Sequence, residues 1–294
     1  KVDPEFINVI NAIGLLYEKK GELELALQEY EKGIELETTN PKSAATCYAN
    51  RADLLAVQGK YETALADYSK AIELDPKNPN RYIDRYSFHY KYSKDYMAAL
   101  NDISAAIELE PNNTTYLYDR GRIFQLHLNN MRSALSDYKK LLEIDPKYIG
   151  AINNIGVIYV SRGEYELAIE QYEKGIVFES TNPEWAALCY VNRADLRAIQ
   201  GNNSDALADY TKAIELDSDN SFTHRKRGLY YKNQSKEYNA ALIDFTKAIE
   251  LLPSDTEVRM DRGHLFQFFL DDPESALKDY ESILKIDPSH IGAI

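Results

Sequence analysis

The chain has 294 residues, with 34 Lys and Arg against 47 Asp and Glu, so its formal charge is −13. That acidic balance argues against a nucleic-acid partner, whose phosphates attract basic faces. Hydrophobic residues at 44% and charged residues at 28% rule out a disordered chain, and no stretch reaches the roughly 18 uncharged apolar residues that a membrane helix needs.

Shifted by 142 residues, the sequence aligns with itself. Cys47-Tyr48-Ala49-Asn50-Arg51-Ala52-Asp53-Leu54 matches Cys189-Tyr190-Val191-Asn192-Arg193-Ala194-Asp195-Leu196, and about half of all aligned positions are identical. Residues 1–6 read as the end of a preceding repeat, because Val2-Asp3-Pro4 resembles Ile144-Asp145-Pro146. Residues 7–148 form a first copy and 149–290 a second. Residues 291–294 open a further repeat, since Ile291-Gly292-Ala293-Ile294 repeats Ile149-Gly150-Ala151-Ile152. The parent array is therefore expected to continue in at least one direction.

Each copy divides again every 34 to 38 residues, giving eight short repeats. In chain order they are marked by Gly14, Ala26 and Tyr30; by Ala52, Ala64, Tyr68 and Pro76; by Ala99, Ala106 and Pro111; and by Gly121, Ala134, Tyr138 and Pro146. The second copy follows with Gly156, Ala168 and Tyr172; Ala194, Ala206 and Tyr210; Gly228, Ala241, Phe245 and Pro253; and Gly263, Ala276, Tyr280 and Pro288. Every repeat reads as two helices. In Tyr61–Leu74, for instance, Tyr61, Ala64, Leu65, Tyr68, Ala71 and Ile72 recur at three- and four-residue steps and make one apolar stripe. Gly59 suits a left-handed cap ahead of that helix, and Asp75-Pro76 ends it. One such hairpin cannot bury its stripe alone, so neighbours must stack. No strand-like alternation is present, and an all-α fold follows.

This small/aromatic/Pro pattern resembles the tetratricopeptide repeat family, and the resemblance covers nearly the whole chain. It implies a right-handed superhelical α-solenoid of helix–turn–helix repeats. The chain departs from the family pattern in three ways. Tyr86 stands where a small residue is usual, so looser helix packing is expected there. The third, fourth, seventh and eighth repeats have one extra residue in the internal turn. Four extra residues lie within Thr39–Ala44 and within Thr181–Ala186.

Nothing in the sequence carries catalysis. There is no His-Glu-x-x-His, no Gly-rich phosphate loop and no Gly-x-Ser-x-Gly, so neither an enzyme nor a cofactor is expected. The five histidines, His89, His127, His224, His264 and His290, are scattered and give no metal-ligand spacing. Cys47 and Cys189 hold equivalent places four repeats apart and read as small packing residues, not a disulfide. Asn112, Asn113, Asn202 and Asn233 head Asn-x-Ser/Thr tripeptides, but no secretory leader accompanies them. The lack of a leader and of a disulfide pattern points to a cytoplasmic setting. Tyr82, Tyr86 and Tyr90 form an i, i+4, i+8 stripe, read first as packing and second as a ligand-facing patch. Trp185 reads as a hydrophobic staple, with an exposed partner anchor as the other reading.

In the family, first helices line the concave groove. That implies partner-binding positions at Asn50, Asp53, Asp84, Tyr90, Tyr118, Arg122, Asn154, Asn192, Asp195, Arg225, Lys226 and His264, with Asn11 and Leu15 beside them. The expected partner is a protein or peptide whose backbone meets these polar side chains. Some members clamp acidic chaperone tails with Lys, Asn, Asn, Lys and Arg. Across the first three repeats only Asn50 matches that set, and Asp84 would repel a carboxylate, so no such clamp is expected. Three other roles stay open: a regulatory arm of a larger enzyme, a single-stranded RNA binder, and self-association through uncapped ends around Ile283, Leu284 and Ile286.

Overall fold

Helix starts in this chain are set by side-chain caps and by proline in the first turn. In the computed structural model, which describes residues 4–289, Asn40 accepts from the Ser43 amide just before Pro41, and Asn78 accepts from the Asn80 amide around Pro79. Asn113 and Asp255 cap their helices in the same way, so Asn113 has a structural task within its tripeptide. The expected repeat fragments at Val2-Asp3 and 291–294, and His290, lie outside the described residues.

The chain divides into two compact units, Lys1–Asp145 and Pro146–Ile294. The first holds four hairpins: α1 (Pro4–Lys20) with α2 (Leu23–Glu35), α3 (Pro41–Val57) with α4 (Tyr61–Leu74), α5 (Pro79–Phe88) with α6 (Tyr96–Leu109), and α7 (Thr114–Arg122) with α8 (Met131–Ile144). The second holds α9 (Ile149–Ser161) with α10 (Tyr165–Ile176), α11 (Pro183–Ile199) with α12 (Asn203–Leu216), α13 (Ser221–Tyr230) with α14 (Tyr238–Leu251), and α15 (Thr256–Phe269) with α16 (Pro273–Ile286). No strand occurs among the described residues. Inside each unit the second helix of a hairpin packs on the first helix of the next, so each unit is an all-α solenoid stretch. The four extra residues before the second and sixth hairpins lengthen their first helices, α3 and α11, to 17 residues each.

Internal turns come in two kinds. In the first, second, fifth and sixth hairpins a glycine takes a left-handed φ of 73–80°, and the next amide bonds back five residues, as Glu22 does to the Tyr17 carbonyl. The hairpins with one extra residue put Lys94, Asn129, Lys236 or Asp271 in that conformation instead. Their first helices widen at the end, with single π turns at His89–Ser93, Ile123–His127 and Tyr231–Ser235. The bond back then spans six residues, from Asn130 to Phe124, Glu237 to Tyr231 and Asp272 to Phe266. The added residue is thus absorbed as a wider last turn.

The core is a small residue on the first helix facing an aromatic ring on the second. At Gly121 a Cβ would lie 2.5 Å from the Tyr138 ring, so only hydrogen fits. The third hairpin reverses the sizes. Tyr86 replaces the small residue, and Ile103, fully buried, stands where other hairpins carry Tyr or Phe. The smaller Ile103 offsets the volume of the half-buried Tyr86, where the sequence pointed to looser packing. Cys47 and Cys189 are free, buried thiols packed against Gly33 and Gly175, and Trp185 packs half-buried on the Tyr172–Cys189 cluster.

Beside the small residue sits an arginine that recurs in six hairpins. Arg51, Arg85, Arg120, Arg193, Arg227 and Arg262 reach across to Asp67, Asp102, Asp137, Asp209, Asp244 and Asp279 on the second helix of the same hairpin. All six pairs are two-pronged, from Nε and Nη2, at 2.7–2.9 Å. The carboxylates are 2–6% exposed. The third guanidinium nitrogen donates to the second helix of the preceding hairpin: Arg85 to Ser69 at 3.0 Å, Arg120 to Ser104 at 3.4 Å, Arg262 to Thr246 at 3.1 Å. The leading hairpin of each unit carries Ile13 or Ile155 at this position.

Removing one partner leaves a charge stranded in a poorly hydrated place. Asp137→Ala should lower the stability of the first unit by ~3 kcal/mol, the lower end of the buried-pair range because one edge of Arg120 meets solvent. Arg120→Met with Asp137→Leu should recover most of that loss. Urea denaturation of the full chain reads both, and equal losses for the single and double variants would contradict this account.

Candidate functional site

The first helices of each unit lie side by side and present one polar face. In the first unit, Asn50 on α3 donates Nδ2–H to Oδ1 of Asn11 on α1 at 2.7 Å. Arg81 on α5 donates to Thr46 Oγ1 on α3 at 2.8 Å and to the Asp84 carboxylate at 3.2 Å. Tyr90 and His127, each in the π turn of its hairpin, meet at 3.2 Å between hydroxyl and Nε2. The His127 ring stacks on Tyr96 at 3.7 Å. Tyr90 also lies 5.9 Å from Tyr86, and Arg122 lies over the Tyr118 ring at 5.9 Å.

Three carboxylates, Asp53, Asp84 and Asp119, mark this face. Burial holds all three above the ordinary carboxylate range. Asp84 is pushed up to about 6, by burial first and by Asp53 beside it, with Arg81 opposing. Asp53 accepts the hydroxyl of Tyr68, a buried ring of its own hairpin.

The second unit repeats the amide contact, with Asn192 Nδ2–H on Asn153 Oδ1 at 2.7 Å. Its charges are arranged differently. Asp195 accepts both the Tyr210 hydroxyl and Lys226 Nζ, the latter at 2.6 Å. Arg225 Nε donates to Asp261 at 2.8 Å and its Nη1 to Glu257, while Lys232 lies 3.6 Å from Asp261. Lys226 also covers the Phe222 ring at 5.5 Å. His264 neighbours the Phe268 and Tyr280 rings, and Asn154 is half-buried. A cleft of about 260 Å³ opens beside Asp195, Ile199, Tyr210, Lys226 and Tyr230.

Of the residues singled out in the sequence, Asn50, Asp53, Asp84 and Tyr90 gather on the first unit's face, where Tyr118 and Arg122 form a further pair. Asn192, Asp195, Arg225 and Lys226 gather on the second. Arg225 and Lys226 are both paired with carboxylates of neighbouring first helices, Arg225 with Glu257 and Asp261 and Lys226 with Asp195. Asn50, Asn192 and Asp195 are half-buried; Asp53 is the more exposed residue overall, and the helices around its carboxylate still desolvate it enough to raise its pKa. Sequence reasoning did not name Thr46, Arg81 or Tyr96, and it read His127 only as one of five scattered histidines. Their partners lie 31 or more residues away, apart from the i, i+3 step from Arg81 to Asp84 that was open to inspection. No three His, Cys, Asp or Glu gather to hold a metal ion among the described residues, and no helix there is long and apolar enough to cross a membrane.

Tetratricopeptide repeat models match residues 7–40, 45–78, 89–149, 149–176 and 187–220. Solved structures with a similar fold include a tetratricopeptide repeat protein from Parabacteroides merdae, 23% identical with a TM-score of 0.64, over 88% of this chain and 98% of that one. Yeast Tom70 is 19% identical with a TM-score of 0.60, over 91% of this chain and 57% of that one. The C-terminal part of a repeat protein from Cytophaga hutchinsonii is 18% identical with a TM-score of 0.55, over 83% and 97%. At these identities the likeness is one of fold. No curated protein matches the chain.

The raised Asp84 carboxyl makes a pH prediction. Folding raises its affinity for a proton, so the native state gains stability as pH falls and loses it as pH rises from about 4 to 6. The groups around it are Arg81 on its own helix, Asp53 on α3, Tyr68 on α4 and Tyr116 on α7. Asp84→Asn removes the ionisation. Relative to the parent chain it should be more stable by ~1–2 kcal/mol at pH 7.5 than at pH 4.5, after allowance for solvent screening. The same offset at both pH values, measured by urea unfolding, would contradict the assignment.

Proposed function

The chain belongs to the tetratricopeptide repeat family, and from that premise we propose that it is a non-catalytic protein-interaction scaffold whose first-helix faces hold an extended peptide segment of a partner. The observation that supports this reading is the amide pair found once in each unit, Asn11 with Asn50 and Asn153 with Asn192.

An asparagine side chain has two N–H donors and one carbonyl acceptor. The Asn11–Asn50 bond uses one donor of Asn50 and the acceptor of Asn11. It leaves the Asn50 carbonyl and the Asn11 amino group side by side on a half-buried surface. An acceptor beside a donor complements one peptide group, and the complement is independent of the partner's side chains. Burial strengthens both bonds by removing water as a competitor. Side-chain selectivity then comes from the surrounding groups, Tyr90, Tyr118, Arg122 and Asp84 in the first unit, and Asn154, Arg225, Lys226 and His264 in the second. Asp53 and Asp195 contribute less directly, because each already accepts from a buried tyrosine of its own hairpin. Truncating either of them tests folding as much as binding.

The discriminating variants are therefore Asn50→Ala and Asn192→Ala. Each should leave far-UV helicity unchanged and weaken peptide capture about tenfold, the cost of one or two unmade hydrogen bonds in a poorly hydrated site. Capture of proteins by the immobilised chain, quantified by mass spectrometry against the double variant, reads this out. A set of captured proteins that is identical for both chains would overturn the groove reading.

A further inference from the structure

Positions 142 residues apart in the two units have the same backbone role and different charge. Asp53 corresponds to Asp195, Asp119 to Asp261, and Tyr68 to Tyr210. These acceptors and rings are retained. The cations are not. Lys226, which binds Asp195, is replaced in the first unit by Asp84; Arg225 and Lys232, which lie on Asp261, are replaced by Ile83 and Tyr90. In the second unit the carboxylates of one hairpin's first helix are thus satisfied by ammonium or guanidinium groups from an adjacent hairpin: Asp195 by Lys226 of the hairpin after it, Asp261 by Arg225 and Lys232 of the hairpin before it. In the first unit the same carboxylate positions persist and a third acid has been added. Among the described residues neither Asp53 nor Asp119 has an ion-pair partner within 4.0 Å, and Asp84 has Arg81 alone. Arg122 moderates Asp119 from further away.

The second unit therefore serves as an internal comparison, in which these carboxylate positions do ligate something, and what they ligate is Lys or Arg. We infer that the first unit's face takes a basic extended segment of a protein partner, with Lys or Arg side chains of that segment occupying the places that Lys226, Arg225 and Lys232 fill in the second unit. This rests on the peptide-binding reading above and names the partner's chemistry. Asp53, Asp84 and Asp119 supply the charge. Tyr86 and Tyr90, 5.9 Å apart, supply ring faces on which the aliphatic stem and charged head of such a side chain can lie. Tyr90 stands where Lys232 stands, so the partner's cation replaces a cation of the chain's own and lands beside a π face. Adjacent first helices sit roughly 8–10 Å apart, which about three extended residues span, so basic residues spaced by three should be favoured. The second unit, with its charges already matched, should show no such preference.

A random decapeptide array probed with the full chain tests this. Bound peptides should be enriched severalfold in Lys or Arg over the library, and the enrichment should fall as salt rises. Arg81→Thr with Asp84→Lys installs the residues that the second unit has at these positions, Thr223 and Lys226, so the same fold tolerates them. This variant should lose the enrichment, whereas Glu166→Gln, an equal change of net charge on an exposed part of α10, should keep it. As the converse, Lys226→Asp should add basic peptides to the bound set. Neutral or acidic peptides bound with undiminished dependence on Asn50 would overturn the inference and leave the peptide-binding reading standing. Retention of the enrichment in Arg81→Thr/Asp84→Lys, with helicity unchanged by circular dichroism, would overturn it as well. No peptide bound above background would overturn both.

Discussion

The rest of the structure depends on a guanidinium that recurs in all but the leading hairpin of each unit. In six hairpins an arginine on the first helix grips a buried aspartate on the second with two N–H groups. A further nitrogen contacts the hairpin before it. One side chain thus fixes both the pairing of two helices and their register on the preceding pair. A hydrophobic contact tolerates sliding, because area burial has no direction. A two-pronged bond between planar groups does not. The desolvation of each pair offsets much of its attraction, so its larger contribution is to geometry: the stripes of small and aromatic residues drive stacking, and the arginine selects one arrangement of the stack.

That selection explains why hairpins of different construction still line up their first helices. Four close with a glycine turn and four with an extra residue and a widened last turn. The third hairpin exchanges its large and small core residues altogether. In every hairpin that carries it, the arginine stands directly before the small-residue position and the aspartate directly before the aromatic one. The face built by the first helices inherits this regularity. Asn50 meets Asn11, and Asn192 meets Asn153, at the same 2.7 Å.

Most of the fold was legible in the sequence, because helical period, small residue, aromatic residue and terminating proline are local signals. The arginine–aspartate pair was legible too, as Arg51-Ala52 with Asp67-Tyr68 or Arg262-Gly263 with Asp279-Tyr280. It escaped because charged residues ordinarily read as surface. Tyr86 on its own points to looser packing; the smaller Ile103, in the place of the usual ring, is the residue that has to be read with it. The face was less accessible. Its candidate positions follow from repeat geometry, but their protonation and pairing depend on neighbours 31 to 39 residues away, as with Lys226 on Asp195 or Asn50 on Asn11. Two adjacent cations at Arg225 and Lys226 are what the sequence alone displays. Neutralisation by Asp261, Glu257 and Asp195 is what packing makes of them.

The two units then show how a repeat scaffold can keep its fold while altering what it presents. A shared framework of arginine, aspartate and tyrosine occupies the space between helices. Residues such as Asp84 against Lys226 change on the face and leave the arginine–aspartate pairs untouched. The most direct measurement of the underlying claim is native-state hydrogen exchange on the full chain carrying Asp244→Ala. If Arg227 couples its own hairpin to the one before, through Thr211, protection should fall in α13 and α14 and also in α12, while the first unit keeps its protection. Loss confined to α13 and α14, with α12 unchanged, would contradict the account.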